Sequence, residues 1–128
     1  KDINDSNIKM FEFINDMGKA YSASNLVISR AGATAISEIL YLGKASILIP
    51  YPQAAADHQH INAKATTDAG ASILVPQKDL ELGVLEETVM SLFTNPEKIK
   101  KMEKSALSIS KPNATKEIVD EIYKLILN

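Results

Sequence analysis

Asn25-Leu26-Val27-Ile28-Ser29-Arg30-Ala31-Gly32-Ala33-Thr34-Ala35-Ile36-Ser37-Glu38-Ile39 is the stretch on which the fold turns. Leu26-Val27-Ile28 is a short continuous apolar run, the pattern of a strand buried on both faces. The residues that follow are small apart from Arg30, as a tight strand-to-helix turn requires. Ile36, Ile39 and Leu40 then share one helical face, and Gly43 supplies a left-handed cap position. Strand, tight turn and helix in immediate succession are the repeating unit of a parallel α/β sheet.

The same alternation continues on both sides. Ile8-Lys9-Met10-Phe11-Glu12-Phe13 alternates as a strand does, and a short helix from about Asn15 carries Met17, Ala20 and Tyr21 inward. Ile47-Leu48-Ile49 and Ile73-Leu74-Val75 are two more apolar runs. Between them a helix is expected from Asp57 as N-cap to Gly70 as terminator, with Ile61 and Ala65 inward. The last third reads as helical. Leu85, Val89 and Leu92 share a face, and Asn95-Pro96 opens a helix whose inner side carries Ile99, Met102 and Leu107. Beyond Pro112-Asn113, the residues Ile118, Ile122, Leu125 and Ile126 form the stripe of a final helix. The order β-α-β-α-β-α-β followed by helices predicts a parallel, doubly wound α/β sheet in one domain or part of one. No linker divides the chain.

Composition narrows the function. Across 128 residues, hydrophobic side chains make up 45% and charged ones 23%, ordinary for a soluble domain with a real core. Basic residues number 14 against 16 acidic, a net charge of -2, which argues against nucleic acid as a partner. There is no cysteine, hence no disulfide framework or thiolate metal site, as expected of a cytoplasmic protein. No apolar run approaches the ~20 residues of a membrane span. The opening Lys1-Asp2-Ile3-Asn4-Asp5 lacks a signal core, and a start at Lys1 fits a fragment or a processed product.

Ligands of parallel α/β sheets sit at the carboxyl ends of the strands. The loops there are Ile14-Asn15, Ser29 to Thr34, Pro50 to Asp57 and Pro76 to Asp79, all expected along one edge. In the second, Gly32 and Ala33 let a ligand approach the first amides of a helix, which favours phosphate. A plain tight turn has the same composition. No cofactor or metal is expected: the turn is neither a P-loop nor a GxGxxG motif, and His58 and His60 point in different directions on a helix. Glu38 lies four residues after Thr34 on the face opposite Ile36 and Ile39. A carboxylate there can accept from both ribose hydroxyls, or simply complement the helix dipole or pair with a lysine. Gln59 has the amide chemistry that grips sugar hydroxyls. His58 suits phosphate, sugar or a capping role.

The stretch from Asn25 to Ile39 resembles the central signature of the MurG-type peptidoglycan N-acetylglucosaminyltransferases. Other motifs follow in that family's order: Phe13-Ile14-Asn15-Asp16-Met17, Gly43 to Pro50, Asp57-His58-Gln59 with Asn62-Ala63, and Asp68-Ala69-Gly70-Ala71. The resemblance covers nearly the whole chain. It implies a Rossmann-like three-layer α/β/α domain with a parallel sheet, the partial C-terminal half of a GT-B glycosyltransferase. Residues 1–128 would be its donor-binding domain, without the first strands and without the acceptor-binding N-terminal domain.

The implied reaction moves N-acetylglucosamine from UDP-N-acetylglucosamine to lipid I with inversion, making lipid II at the cytoplasmic face of the bacterial membrane, with peripheral membrane contact in the full-length protein. By the same resemblance, Phe13 and Ile14 would hold uracil, Arg30, Gly32, Ala33, Thr34 and Ala35 the diphosphate, Glu38 the ribose, and His58 and Gln59 the N-acetylglucosamine. Ala35 departs from the hydroxyl residue common in the family, leaving only its backbone N–H. The family's proposed catalytic histidine lies in the region that would precede this chain, so no catalytic residue is assigned here. A donor-binding subunit of a two-chain transferase and a non-catalytic nucleotide-sugar-binding domain are the alternatives. Arg30 favours the peptidoglycan type, since the eukaryotic two-subunit relatives usually carry histidine there.

Overall fold

A computed structural model describes residues 7–127. The expectation about Lys1–Asp5 falls outside the described residues. The elements in chain order are α1 (Met17–Ala23), β1 (Val27–Ser29), α2 (Ala33–Tyr41), β2 (Ser46–Leu48), α3 (His58–Asp68), β3 (Ser72–Leu74), α4 (Val84–Phe93), α5 (Pro96–Ile109) and α6 (Ala114–Ile126). Short 3₁₀ turns at Ala55–Asp57 and Gln77–Leu82 lead into α3 and α4.

The strands form one parallel sheet in the order β1-β2-β3, with Ile28 opposite Ile47 and Ile47 opposite Ile73. Because the order runs in one direction, both right-handed crossovers, through α2 and α3, fall on the same face. Alternation along β2 then divides the core in two. Leu48 packs with Tyr21, Ile36, Ile39 and Ala63 of α1 to α3. Ile47 faces the other way and packs with Val75, Leu92 of α4 and Met102 of α5. The result is the expected three-layer arrangement. Ile39, Ile47, Leu48, Leu92 and Val75 are the largest fully buried side chains. Each contributes roughly 1.5–3 kcal/mol by burial.

Helix ends follow the local chemistry. Asp16 caps α1 by accepting from the Lys19 amide at 3.0 Å, and Asn95 caps α5 by accepting from the Lys98 amide at 3.2 Å. Gly43 follows α2 at φ +62°, where a Cβ would lie 2.7 Å from Leu107 of α5. Only glycine suits that position on both counts.

Four expectations need correction. Met17, expected inward on α1, is 39% exposed, and only Tyr21 is buried there. Residues 8–13 are not a strand: Met10, Phe11 and Phe13 are 84%, 67% and 76% exposed, and the segment pairs with nothing in the sheet. Alternation marks a strand only where a neighbour buries one of its faces. On α3, Ile61 and Ala65 are exposed, whereas Ala63 and Thr66 are buried. On α5, Leu107 is exposed and Ala106 takes the inner position.

Candidate functional site

The parallel strands bring the β1, β2 and β3 exit loops to one edge, where side chains tie them together. Gly32 is the N-cap of α2 and offers no side-chain cap. The Ile36 amide is the first to close the helix, donating to the Gly32 carbonyl at 3.0 Å. The amides of Ala33, Thr34 and Ala35 precede it and have no acceptor within the helix. A Cβ built on Gly32 would meet nothing within 4 Å, so the space above the turn is open. This is a positive helix end with room for an anion.

Thr34 in this first turn and Glu38 one turn beyond it are both exposed while Ile36 and Ile39 face the core, as their spacing predicts. Glu38 makes no lysine ion pair among the described residues. It accepts instead from the Tyr21 hydroxyl, with Oε2 at 3.3 Å. Partial burial, together with the neighbouring Glu38 charge and hydrogen bond, pushes the Tyr21 phenol above its ordinary pKa, so it remains a donor at neutral pH.

Tyr21 also links Glu38 to the preceding segment. Met17, Gly18, Tyr21, Glu38 and Tyr41 line a hollow of about 250 Å³. Phe13, Ile14, Asp16 and Lys19 line one of about 420 Å³ on the other flank of α1. A larger hollow, about 620 Å³, opens from Glu38 and Ser37 toward Lys111 and Thr115. Phe13 and Ile14 therefore lie across a short helix from Glu38, with exposed apolar surface.

Arg30 reaches across the edge. Its Nη1 donates to Gln77 Oε1 at 2.7 Å and to the Ile49 carbonyl at 3.3 Å, and its guanidinium lies 5.6 Å from the centre of the Tyr51 ring, within cation–π range. It thus joins the exits of all three strands.

On α3, His58 is the first residue and is exposed. Asp57 occupies the N-cap position as expected, but its side chain caps nothing and its backbone is left-handed at φ 55°. Ala56 before it is also left-handed, at φ 48°. Consecutive positive-φ residues other than glycine are costly, and such strain gathers where a fold must hold a functional loop in one shape. Gln59 is half-buried, and its Oε1 accepts from both the Ala31 and Tyr51 amides.

Sequence reading passed over Tyr21 as a partner of Glu38, Gln77 as a partner of Arg30, and the grip of Asn62 on the Ala31 carbonyl. Those pairs lie 17, 47 and 31 residues apart, so no local pattern signals them.

An open helix N-terminus beside an exposed carboxylate, on a parallel sheet layered with helices, describes an α/β domain with an anion-receptive edge. The chain belongs to the glycosyltransferase family 28 C-terminal domain family, whose model matches residues 1–122. It is 44% identical over 93% of its length to the UDP-N-acetylglucosamine–N-acetylmuramyl-(pentapeptide) pyrophosphoryl-undecaprenol N-acetylglucosamine transferase of Myxococcus xanthus, covering 31% of that protein. The protein of the same name from Syntrophus aciditrophicus is 43% identical over 92% of the chain, with 33% of its own length covered. Among solved structures, Acinetobacter baumannii MurG superimposes with a TM-score of 0.84 at 38% identity, over 91% of this chain and 35% of that one. The chain thus spans about a third of the length of these relatives.

Proposed function

We propose that this chain is the donor-binding part of an inverting glycosyltransferase that moves N-acetylglucosamine from UDP-N-acetylglucosamine to lipid I, forming lipid II. The observation that carries this reading is the pairing of the open Gly32 turn with exposed Glu38, one helical turn beyond Thr34, in a chain of this family. The amides of Gly32 to Ala35 would receive the diphosphate, with Arg30 at their flank and the Thr34 hydroxyl beside them. Glu38, held by Tyr21, would accept from the ribose hydroxyls. Phe13 and Ile14 would cover the uracil, and His58 and Gln59 would face the sugar.

No residue here is assigned as catalytic base. In the whole enzyme, the acceptor lipid and peripheral contact with the cytoplasmic membrane face would belong mainly to a separate N-terminal domain. No helix among the described residues is long and apolar enough to cross a membrane.

Calorimetric titration with UDP-N-acetylglucosamine, UDP-glucose and UDP tests the reading. Glu38→Ala is expected to weaken all three ligands by about tenfold or more, since a hydrogen bond to a charged group contributes roughly 1.5–3 kcal/mol. Wild-type affinity in Glu38→Ala overturns the ribose assignment. Absence of UDP binding in the folded wild-type chain overturns the donor site itself.

A further inference from the structure

The α3 face that meets the ligand edge is made of polar side chains with helical spacing, and two of them hold the same peptide segment. Gln59 Oε1 accepts from the Ala31 amide at 3.2 Å, and Asn62 Nδ2 donates to the Ala31 carbonyl at 3.3 Å. Ala31 is completely buried, so neither of its backbone groups has water as a substitute. The same Gln59 oxygen also accepts from the Tyr51 amide at 2.9 Å, joining the β1 exit loop to the β2 exit loop. Two N–H donors converge on that atom, which fixes the orientation of the side-chain amide: the carbonyl oxygen must face the loops. Its Nε2 makes no hydrogen bond among the described residues and is not fully buried.

We infer that Gln59 and Asn62 are positioning residues, a clamp that fixes Ala31 so that the adjoining Gly32–Ala35 amides are preset for the diphosphate. The inference rests on the donor-site reading and adds a role for these side chains in which neither touches the nucleotide. Ala31 immediately precedes the N-cap of α2, so its peptide orientation sets the direction of the open amides. Without the clamp, the loop keeps its sequence but loses its fixed geometry, and binding must then meet the entropy of ordering it.

The test separates this role from sugar contact, because UDP has no sugar beyond its ribose. In Gln59→Leu, UDP affinity is expected to fall about fivefold or more, the scale of one or two lost hydrogen bonds. Amide exchange measured by NMR should accelerate at Ala31 and Tyr51 while the central-strand Ile47 amide stays protected, which shows that the fold persists. Gln59→Glu restores an acceptor and should restore protection at both amides. If Gln59→Leu does not fold, Asn62→Leu gives the same test from the carbonyl side, read at UDP affinity.

UDP affinity within about threefold of wild type in the folded variant, or unchanged exchange at Ala31 and Tyr51, overturns the clamp. Failure of the wild-type chain to bind UDP overturns the donor reading instead, and the exchange measurement still decides whether the clamp exists.

Discussion

Helices α3 and α6 contrast in how far apolar pattern and burial agree. On α6, Ile118, Ile122, Leu125 and Ile126 form a continuous stripe, yet all are exposed, Leu125 by 81%. On α3 the apolar residue Ile61 is 58% exposed, while Gln59, Asn62, Ala63 and Thr66 turn inward at helical spacing. Hydrogen bonds seat α3 alongside the buried Ala63. Gln59 and Asn62 hold the loop backbone, and the Thr66 hydroxyl lies 2.8 Å from that of Ser72 on β3. A hydrophobic stripe reports surface that gains by being covered. Whether an element is held, and by what, depends on the partners the fold supplies.

Substitutions can break this contrast, and the largest effect is expected where α3 meets the sheet. Ala63 is fully buried among Ile36, Ile39 and Leu48. Ala63→Leu should therefore cost about 1–3 kcal/mol by overpacking, measured as a lowered denaturation midpoint. Stability equal to wild type would show that α3 is loosely seated. Thr66→Val keeps the shape but removes the bond to Ser72, which Thr67 still contacts at 3.0 Å. A loss of about 1 kcal/mol is expected in urea unfolding. No loss would mean that packing alone seats this face.

The smallest effect is expected on α6. Ile122 is 49% exposed, so Ile122→Ala should change the stability of this chain by less than about 0.5 kcal/mol. A cost well above 1 kcal/mol would reveal that the stripe is covered in solution and would remove the contrast. The Glu38 and Gln59 variants extend the same comparison to ligand binding, since both act through groups that the apolar pattern does not report.

Much of the architecture was legible in the sequence. The three apolar runs gave the three strands, Gly43 and Gly70 ended their helices at positive φ, and Asn95 caps α5 ahead of Pro96, whereas Asp57 holds the N-cap position of α3 without a side-chain bond. These features are local: a run, a cap or a left-handed glycine depends on residues a few positions apart. The segment at residues 8–13 misled because alternation says nothing about whether a sheet edge is present to pair with it.

Within the candidate site, the open turn at Gly32 and the outward face carrying Thr34 and Glu38 followed from helical geometry and the composition of Ser29 to Glu38. The partners of those residues did not. Tyr21 reaches Glu38, Arg30 reaches Gln77, and Gln59 gathers the amides of Ala31 and Tyr51, each across tens of residues or between neighbouring loops. The sequence by itself determined the strands, the turns and the family to which the chain belongs, because those are written in short-range patterns and ordered motifs. Only the tertiary structure decided which polar side chains hold the loops and which apolar ones stay exposed. A hydrogen bond forms between groups that the packed layers bring within about 3 Å, and that distance is a property of the assembled fold.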